Sequence, residues 1–147
     1  MDFPITAVSN LQVACISRSA LNELAAAHPK LSQGLWWDSM VAGSVQRGWL
    51  LNITQRSGRD RIAHLLCELA ARLETVGMFD GQKLNLPLTQ ADIGDACAMT
   101  QEHTSRTLRE LRDAGLIAMR RGIIEPSDWA GLKRLAQFDE RYLTGRG

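Results

Sequence analysis

Apolar and polar residues partly alternate at the start of the chain, in Ile5-Thr6-Ala7-Val8 and again from Leu11 to Ile16, with Ser9-Asn10 between the two runs. A period of two puts successive side chains on opposite faces of a strand, so residues 1–17 are expected to be extended, as two short strands. Such a pair is marginal alone and would be the end of a larger sheet. The period then lengthens. Ser17 or Ser19 can cap a short helix through Ala20–Ala27, with Leu21 and Leu24 on one face. His28-Pro29 ends it, because proline disfavours helical backbone at the preceding residue, and Pro29 suits the first turn of the next helix.

From Lys30 to about Gln55 there is no proline, and Leu31, Leu35, Val41, Val45, Trp49 and Ile53 recur at helical steps, with Trp36, Trp37 and Leu50 beside them. At 1.5 Å per residue such a helix would be roughly 39 Å long. A stripe of that length needs a cover, and a second copy of the chain would supply one, as in a coiled-coil seam. Leu35, Val45, Trp49 and Ile53 are the expected dimer-interface residues; the alternative is a core helix of a larger domain. Ser57 with Asp60 resembles a capping box and predicts a further helix, with Ile62, Leu65, Leu66, Leu69 and Leu73 on one face and Gly77 at its end. Lys83 to Leu88 then alternates like a short strand with an edge-type proline, Pro87.

Thr89 to Asp113 is the most informative stretch. Thr89 is a good N-cap with Asp92 at the third helical position, and the helix stops near Cys97. After Ala98-Met99, Thr100 can cap a second helix that ends at Gly115. A short helix, a tight turn and an amphipathic second helix form a helix-turn-helix pattern. Gln101, Glu102, Ser105, Arg106, Arg109 and Arg112 lie on the exposed side of the second helix. Side chains of these types read base edges, arginine bidentately on guanine and glutamate on the cytosine amino group. A recognition helix presents them at its amino-terminal end. An ordinary solvated face with a Glu102–Arg106 pair is the competing reading. Leu116 to Glu125 then reads as a β-hairpin with a basic tip, a wing whose Arg120 and Arg121 would meet phosphates. Asp128 caps a last helix from Trp129 to about Gln137.

Composition narrows the classes. The chain has 147 residues, 45% of them hydrophobic, which suits one domain or one small domain with an appendage. No apolar run approaches the roughly 18–20 residues that span a bilayer, so no membrane partner is expected. Cys15, Cys67 and Cys97 are odd in number and lie far apart, without a CxxC pair. They read as small buried apolar residues in a reducing cytoplasm, not as a disulfide framework or a zinc site. His28, His64 and His103 fall on different elements and no nucleophile–base spacing occurs, so neither catalytic residues nor enzyme activity are expected. A net charge of +1 gives DNA binding no support by itself; five arginines between Arg106 and Arg121 do.

These stretches resemble the Crp/Fnr family of bacterial transcription regulators. Arg61-Ile62-Ala63-His64-Leu65-Leu66, Leu88 to Gly94, Thr100 to Leu111, Gly115-Leu116-Ile117 and Arg121-Gly122-Ile123 carry the likeness. The resemblance implies a mainly α fold with a small β component. Residues 1–28 would be the end of an effector-binding barrel and its following helix, 29–56 the dimerisation helix, and 57–147 a winged helix-turn-helix domain. It also implies a homodimer on double-stranded DNA, with RNA polymerase as a further partner. By analogy with the Fnr-like branch, Gln101, Glu102, Ser105 and Arg106 would contact bases of a TTGAT-type inverted repeat. Thr89 and Thr100 would hold phosphates, as would Arg109, Arg112, Arg120 and Arg121. Most of the barrel is missing and no cysteine cluster is present, so no cofactor is expected. Without a sensor the chain could instead act as an interaction module that pairs with a full-length relative. His103 and Thr104 replace the more usual threonine and apolar residue. Ala98 stands where the family commonly has glycine, which requires a backbone that avoids positive φ there.

Overall fold

The computed structural model describes residue 7, residues 10–79, residues 81 and 84, and residues 88–120 and 123–144. Among them the order is α1 (Arg18–Ala27), α2 (Pro29–Gln55), α3 (Gly58–Thr75), α4 (Gln90–Ala96), α5 (Gln101–Asp113), β1 (Ile117–Arg120), β2 (Ile123–Pro126), α6 (Trp129–Leu135) and α7 (Arg141–Thr144). The fold is mainly α with one antiparallel hairpin, and its register pairs Ile117 with Pro126 and Arg120 with Ile123.

Local signals place most boundaries. Ser17 accepts from the Ala20 amide and starts α1, while the Ser57–Asp60 capping box, complete in both directions, starts α3. Gly77 and Gly115 take φ of 70° and 72° just past α3 and α5, where a left-handed residue closes a helix at no steric cost to glycine. At α6, Gln137 takes the same role at φ 46°, and Phe138 N–H bonds back to the Lys133 carbonyl.

Two expectations change. Residues 10–17 are irregular and exposed, not a strand; among the described residues no strand pairs with them, and an unpaired extended segment gains no ladder hydrogen bonds. The first predicted strand and most of the Lys83–Leu88 strand lie outside the described residues; Leu84 alone among them makes a bridge and is buried. Cys67 and Cys97 are buried as expected, with burial pushing each thiol up to about 12, but Cys15 is exposed.

The core lies around α3. Ile62, Leu66, Ile93, Leu108, Leu111, Ile117 and Leu132 are almost fully buried, so one apolar cluster joins α3, the two helices of the helix-turn-helix, the hairpin and α6. Each such side chain contributes about 1.5–3 kcal/mol on burial. That cluster holds α4 and α5 rigidly on α3.

The face that α2 turns outward is not the one its sequence stripe indicates. Val45, Trp49 and Ile53 are half-buried within the chain, and Trp49 packs against the core cluster. Leu35 remains 42% exposed, yet the widest exposure is at Trp36 (67%), Leu50 (64%), Leu51 and Met40. At 100° per residue Trp36, Met40 and Leu51 lie on the opposite side from Trp49, with Leu50 on the flank between.

Candidate nucleic-acid interface

Helices α4 and α5 are joined by the turn Cys97–Thr100, and local chemistry sets both. Thr89 caps α4 reciprocally: Asp92 Oδ2 accepts from the Thr89 amide at 2.7 Å and its hydroxyl at 2.8 Å, and Thr89 Oγ1 accepts from the Asp92 amide at 3.2 Å. Those hydrogen bonds hold the Asp92 carboxyl below its usual range. The Thr89 hydroxyl is therefore occupied by a carboxylate, and phosphate binding there would have to displace it. Thr100 caps α5 by accepting from the His103 amide at 3.3 Å, and a hydroxyl that accepts keeps its proton for another acceptor.

In the turn, Met99 N–H bonds to the Gly94 carbonyl at 2.8 Å and Ala98 takes φ 52°. The requirement that alanine keeps positive φ out of this turn is thus not met. Residue 98 must reverse the chain between two helices, and only a left-handed residue does so this tightly. The helices then press together, and Gly94 leaves room for the hydroxyl of Thr104.

Thr104, Thr107, Leu108 and Leu111 form the buried side of α5. Glu102, Arg106 and Arg109 project from the opposite side, with Ser105 half-exposed on the flank and Gln101 at the start of the helix. Spacing of three and four residues lines them up as one stripe. Among the described residues no ion pair joins Glu102 to Arg106, and none of these five side chains has an internal hydrogen-bond partner. The competing reading of a face laced by that pair is therefore not what the structure contains. Arg112 differs, since its guanidinium pairs with Asp113 at 3.1 Å at the far end of the helix. Arg120 closes the hairpin pairing with Ile123; Arg121 and Gly122 of the wing tip lie outside the described residues.

Tyr142 carries no periodic signal in the sequence. It sits on α7, which was not predicted, and its ring lies over Gly48 of α2, about where ordinary van der Waals contact with a Cβ would begin (3.8 Å). Its hydroxyl donates to Glu68 Oε2 at 2.6 Å and lies 3.1 Å from His64 Nε2. His64, read as a packing or surface residue, is buried in this group. A lone tyrosine seven residues beyond Leu135, the last periodic apolar position of α6, gives no sequence signal for such a contact.

A short helix, a left-handed turn, a second helix with an unengaged polar stripe and a two-stranded wing define a winged helix-turn-helix protein. The Crp-like helix-turn-helix domain matches residues 60–135. The chain belongs to the Crp/Fnr family of transcription regulators. It is 29% identical over 136 residues to the nitrogen fixation regulation protein FixK of Azorhizobium caulinodans, covering 90% of this chain and 54% of that protein. It is 27% identical over 120 residues to the transcriptional activator protein FnrL of Cereibacter sphaeroides, covering 80% and 48%. The chain thus spans about half the length of these curated relatives. The structure of FixK2 from Bradyrhizobium japonicum superposes with a TM-score of 0.69 at 26% identity, over 82% of this chain and 59% of that one. By their names the two curated relatives are a regulation protein and a transcriptional activator. Among the described residues there is no group of His, Cys, Asp and Glu that could hold a metal ion, and no helix long and apolar enough to cross a membrane.

Proposed function

We propose that the chain is a homodimeric DNA-binding regulator whose two α5 helices read an inverted repeat with TTGAT-type half-sites. The observation that carries this reading is the stripe Glu102, Ser105, Arg106 and Arg109, presented without internal partners on a helix anchored by its other face. Such groups lose little by leaving water if base edges and phosphates replace it. Arg106 and Glu102 are assigned to bases, with Ser105 and Gln101 beside them. Thr100, Arg109 and the wing residues Arg120 and Arg121 supply phosphate contacts, while Arg112 and Thr89 must first release Asp113 and Asp92.

The second copy fits the outward face of α2. Trp36, Met40, Gly43, Arg47, Leu50 and Thr54 recur at alternating steps of four and three, the spacing of a coiled-coil seam, and Trp36, Met40 and Leu50 are exposed. Large apolar side chains exposed together on one helix face are a signal of a partner surface. Pairing there, two recognition helices would enter successive major grooves about 34 Å apart. The domain limits 1–28, 29–56 and 57–147 remain the assignment that this reading uses.

Selection of bound duplexes by the purified chain, beside its mass in solution, tests the reading. An enriched inverted repeat and a dimer mass are expected, with both lost in Leu50→Glu. Enrichment of the repeat only when a full-length relative is added would instead support the interaction module. A monomer that enriches no sequence would overturn both the dimer and the DNA assignment. RNA polymerase contact is tested separately, by transcription from a promoter carrying the selected repeat.

A further inference from the structure

Between α2 and the helix-turn-helix domain lies a buried polar cluster that no DNA contact uses. Glu68 of α3 is its centre: Oε2 accepts from Tyr142 Oη at 2.6 Å and from Trp49 Nε1 at 2.9 Å, and Oε1 accepts from Arg72 at 3.0 Å. His64, one turn earlier, accepts from Arg56 at Nδ1 (2.8 Å). A guanidinium only donates, so the remaining ring hydrogen sits on Nε2 and is directed to Tyr142 Oη at 3.1 Å. The hydroxyl hydrogen of Tyr142 must then go to Glu68. Every hydrogen in the chain from Arg56 through His64 and Tyr142 to Glu68 runs one way. Trp49, Phe138 and Tyr142 also enclose the His64 ring, with centroids 5.5–6.0 Å away.

The cluster draws on three elements. Trp49 comes from the last two turns of α2 and Arg56 from its C-cap, His64 and Glu68 from α3, and Tyr142 from α7. The covalent link between α2 and α3 is only Arg56-Ser57, so the side chains fix the angle between the two helices. Asn52, fully buried on the same stretch of α2, has no partner for Nδ2 among the described residues. An unpaired buried amide weakens the closed arrangement, so the angle depends on the remaining bonds.

We propose that Tyr142 is a positioning residue for DNA recognition. Through Glu68 and His64 it clamps the carboxyl-terminal segment across the junction of α2 and α3, and so sets the distance between the two recognition helices of a dimer. The proposal rests on the homodimeric reading above. Its consequence is separable from base recognition: loosening the clamp relaxes the spacing required between half-sites and leaves the preferred bases within each half-site unchanged.

The test uses the full chain with Tyr142→Phe, which removes one donor to Glu68 and keeps the ring, and, independently, Trp49→Phe, which removes the indole donor and leaves a smaller ring in its place. Affinity is measured on inverted repeats whose centre-to-centre spacing is varied, and on a single half-site. Wild type should discriminate sharply between spacings; in either variant the best spacing should lose about tenfold, the others much less, and the half-site affinity should not change. Hydrogen exchange without DNA provides the second readout. Amides from Trp49 to Arg56 should exchange about tenfold faster in both variants, with α4 and α5 unaffected. Wild-type spacing discrimination in both variants overturns the proposal, as does uniformly faster exchange throughout the domain. Should the wild-type chain prefer no DNA sequence, the homodimeric reading fails, and localised exchange still decides whether the clamp exists.

Discussion

Gly94 and Thr104 meet with no room for a side chain between them: a Cβ on Gly94 would stand 2.8 Å from Thr104 Oγ1 and 3.0 Å from the Met99 carbonyl oxygen. Neither neighbour can yield easily. Thr104 is fully buried with its hydroxyl bonded to the Thr100 carbonyl at 2.9 Å, and the Met99 carbonyl belongs to the turn itself. Overpacking of this kind costs about 1–3 kcal/mol, against which alanine returns up to about 1 kcal/mol of helix propensity. Gly94→Ala should therefore lower the urea midpoint by the equivalent of about 1–2 kcal/mol without changing the slope. An unchanged midpoint would mean that α4 and α5 separate at no cost.

Ala98 presents the opposite case, a side chain where none is wanted. At φ 52° its Cβ crowds the following carbonyl, at a cost of roughly 1–2 kcal/mol. Part of any gain on removing it is lost, because glycine has more freedom to give up on folding. Ala98→Gly should raise stability by about 0.5–1 kcal/mol and the thermal midpoint by a few degrees, while Ala98→Val should lower both. Calorimetry of the three chains checks the order, and a glycine variant less stable than wild type would contradict it.

How far the sequence could be read depends on how local each cause is. Caps at Ser17, Ser57, Thr89, Thr100 and Asp128 all lie within three residues of what they bond, so the starts of α1 and α3 to α6 were legible. The exposed polar stripe of α5 was legible for the same reason, since helical period alone fixes which residues oppose Thr104, Leu108 and Leu111. The outward face of α2 was not. Trp36, Trp37, Leu50 and Leu51 are as apolar as Leu35, Val45, Trp49 and Ile53, and the inward side is marked by contacts distant in sequence, among them Glu68 and Tyr142, 19 and 93 residues from Trp49. The αL turn at Ala98 was hidden differently, because tertiary docking of α5 overrides what alanine prefers.

His64 makes stability depend on pH in a defined window. Burial first, and the neighbouring Arg56 charge second, lower it from 6.5 to about 4, against the opposing pull of Glu68. It is therefore neutral at pH 7, and its 3.7 Å approach to Glu68 is not an ion pair there. Between those two values the unfolded chain binds a proton that the folded chain excludes. The contribution is thus complete above about pH 6.5 and is lost as pH falls towards 4, at about 1.4 kcal/mol per unit. His64→Gln retains an acceptor for Arg56 and a donor for Tyr142 but cannot titrate. Between pH 7 and pH 5 the wild-type chain should lose about 2 kcal/mol more than this variant in urea unfolding. Parallel pH profiles for the two chains would show that His64 accepts a proton without opening the cluster.

Arg106 and Arg109 should fail in different ways when replaced, because one is assigned to a base and the other to a phosphate. Each phosphate contact releases condensed counterions, contributing about −0.9 to the slope of log affinity against log salt. Arg109→Gln should therefore weaken binding to all duplexes alike and make that slope shallower by about 1 per half-site. A base contact carries discrimination instead: Arg106→Ala should cost about 1–3 kcal/mol on the preferred half-site and much less on a duplex altered at the contacted pair. Neither residue is held by an internal ion pair among the described residues, so the losses report the DNA contact and not a disrupted fold. Gel-shift titrations at several salt concentrations, on the preferred repeat and on single-position variants of it, distinguish the two. If Arg106→Ala weakened every duplex equally, Arg106 would belong with the phosphate contacts and the bases would be left to Gln101, Glu102 and Ser105.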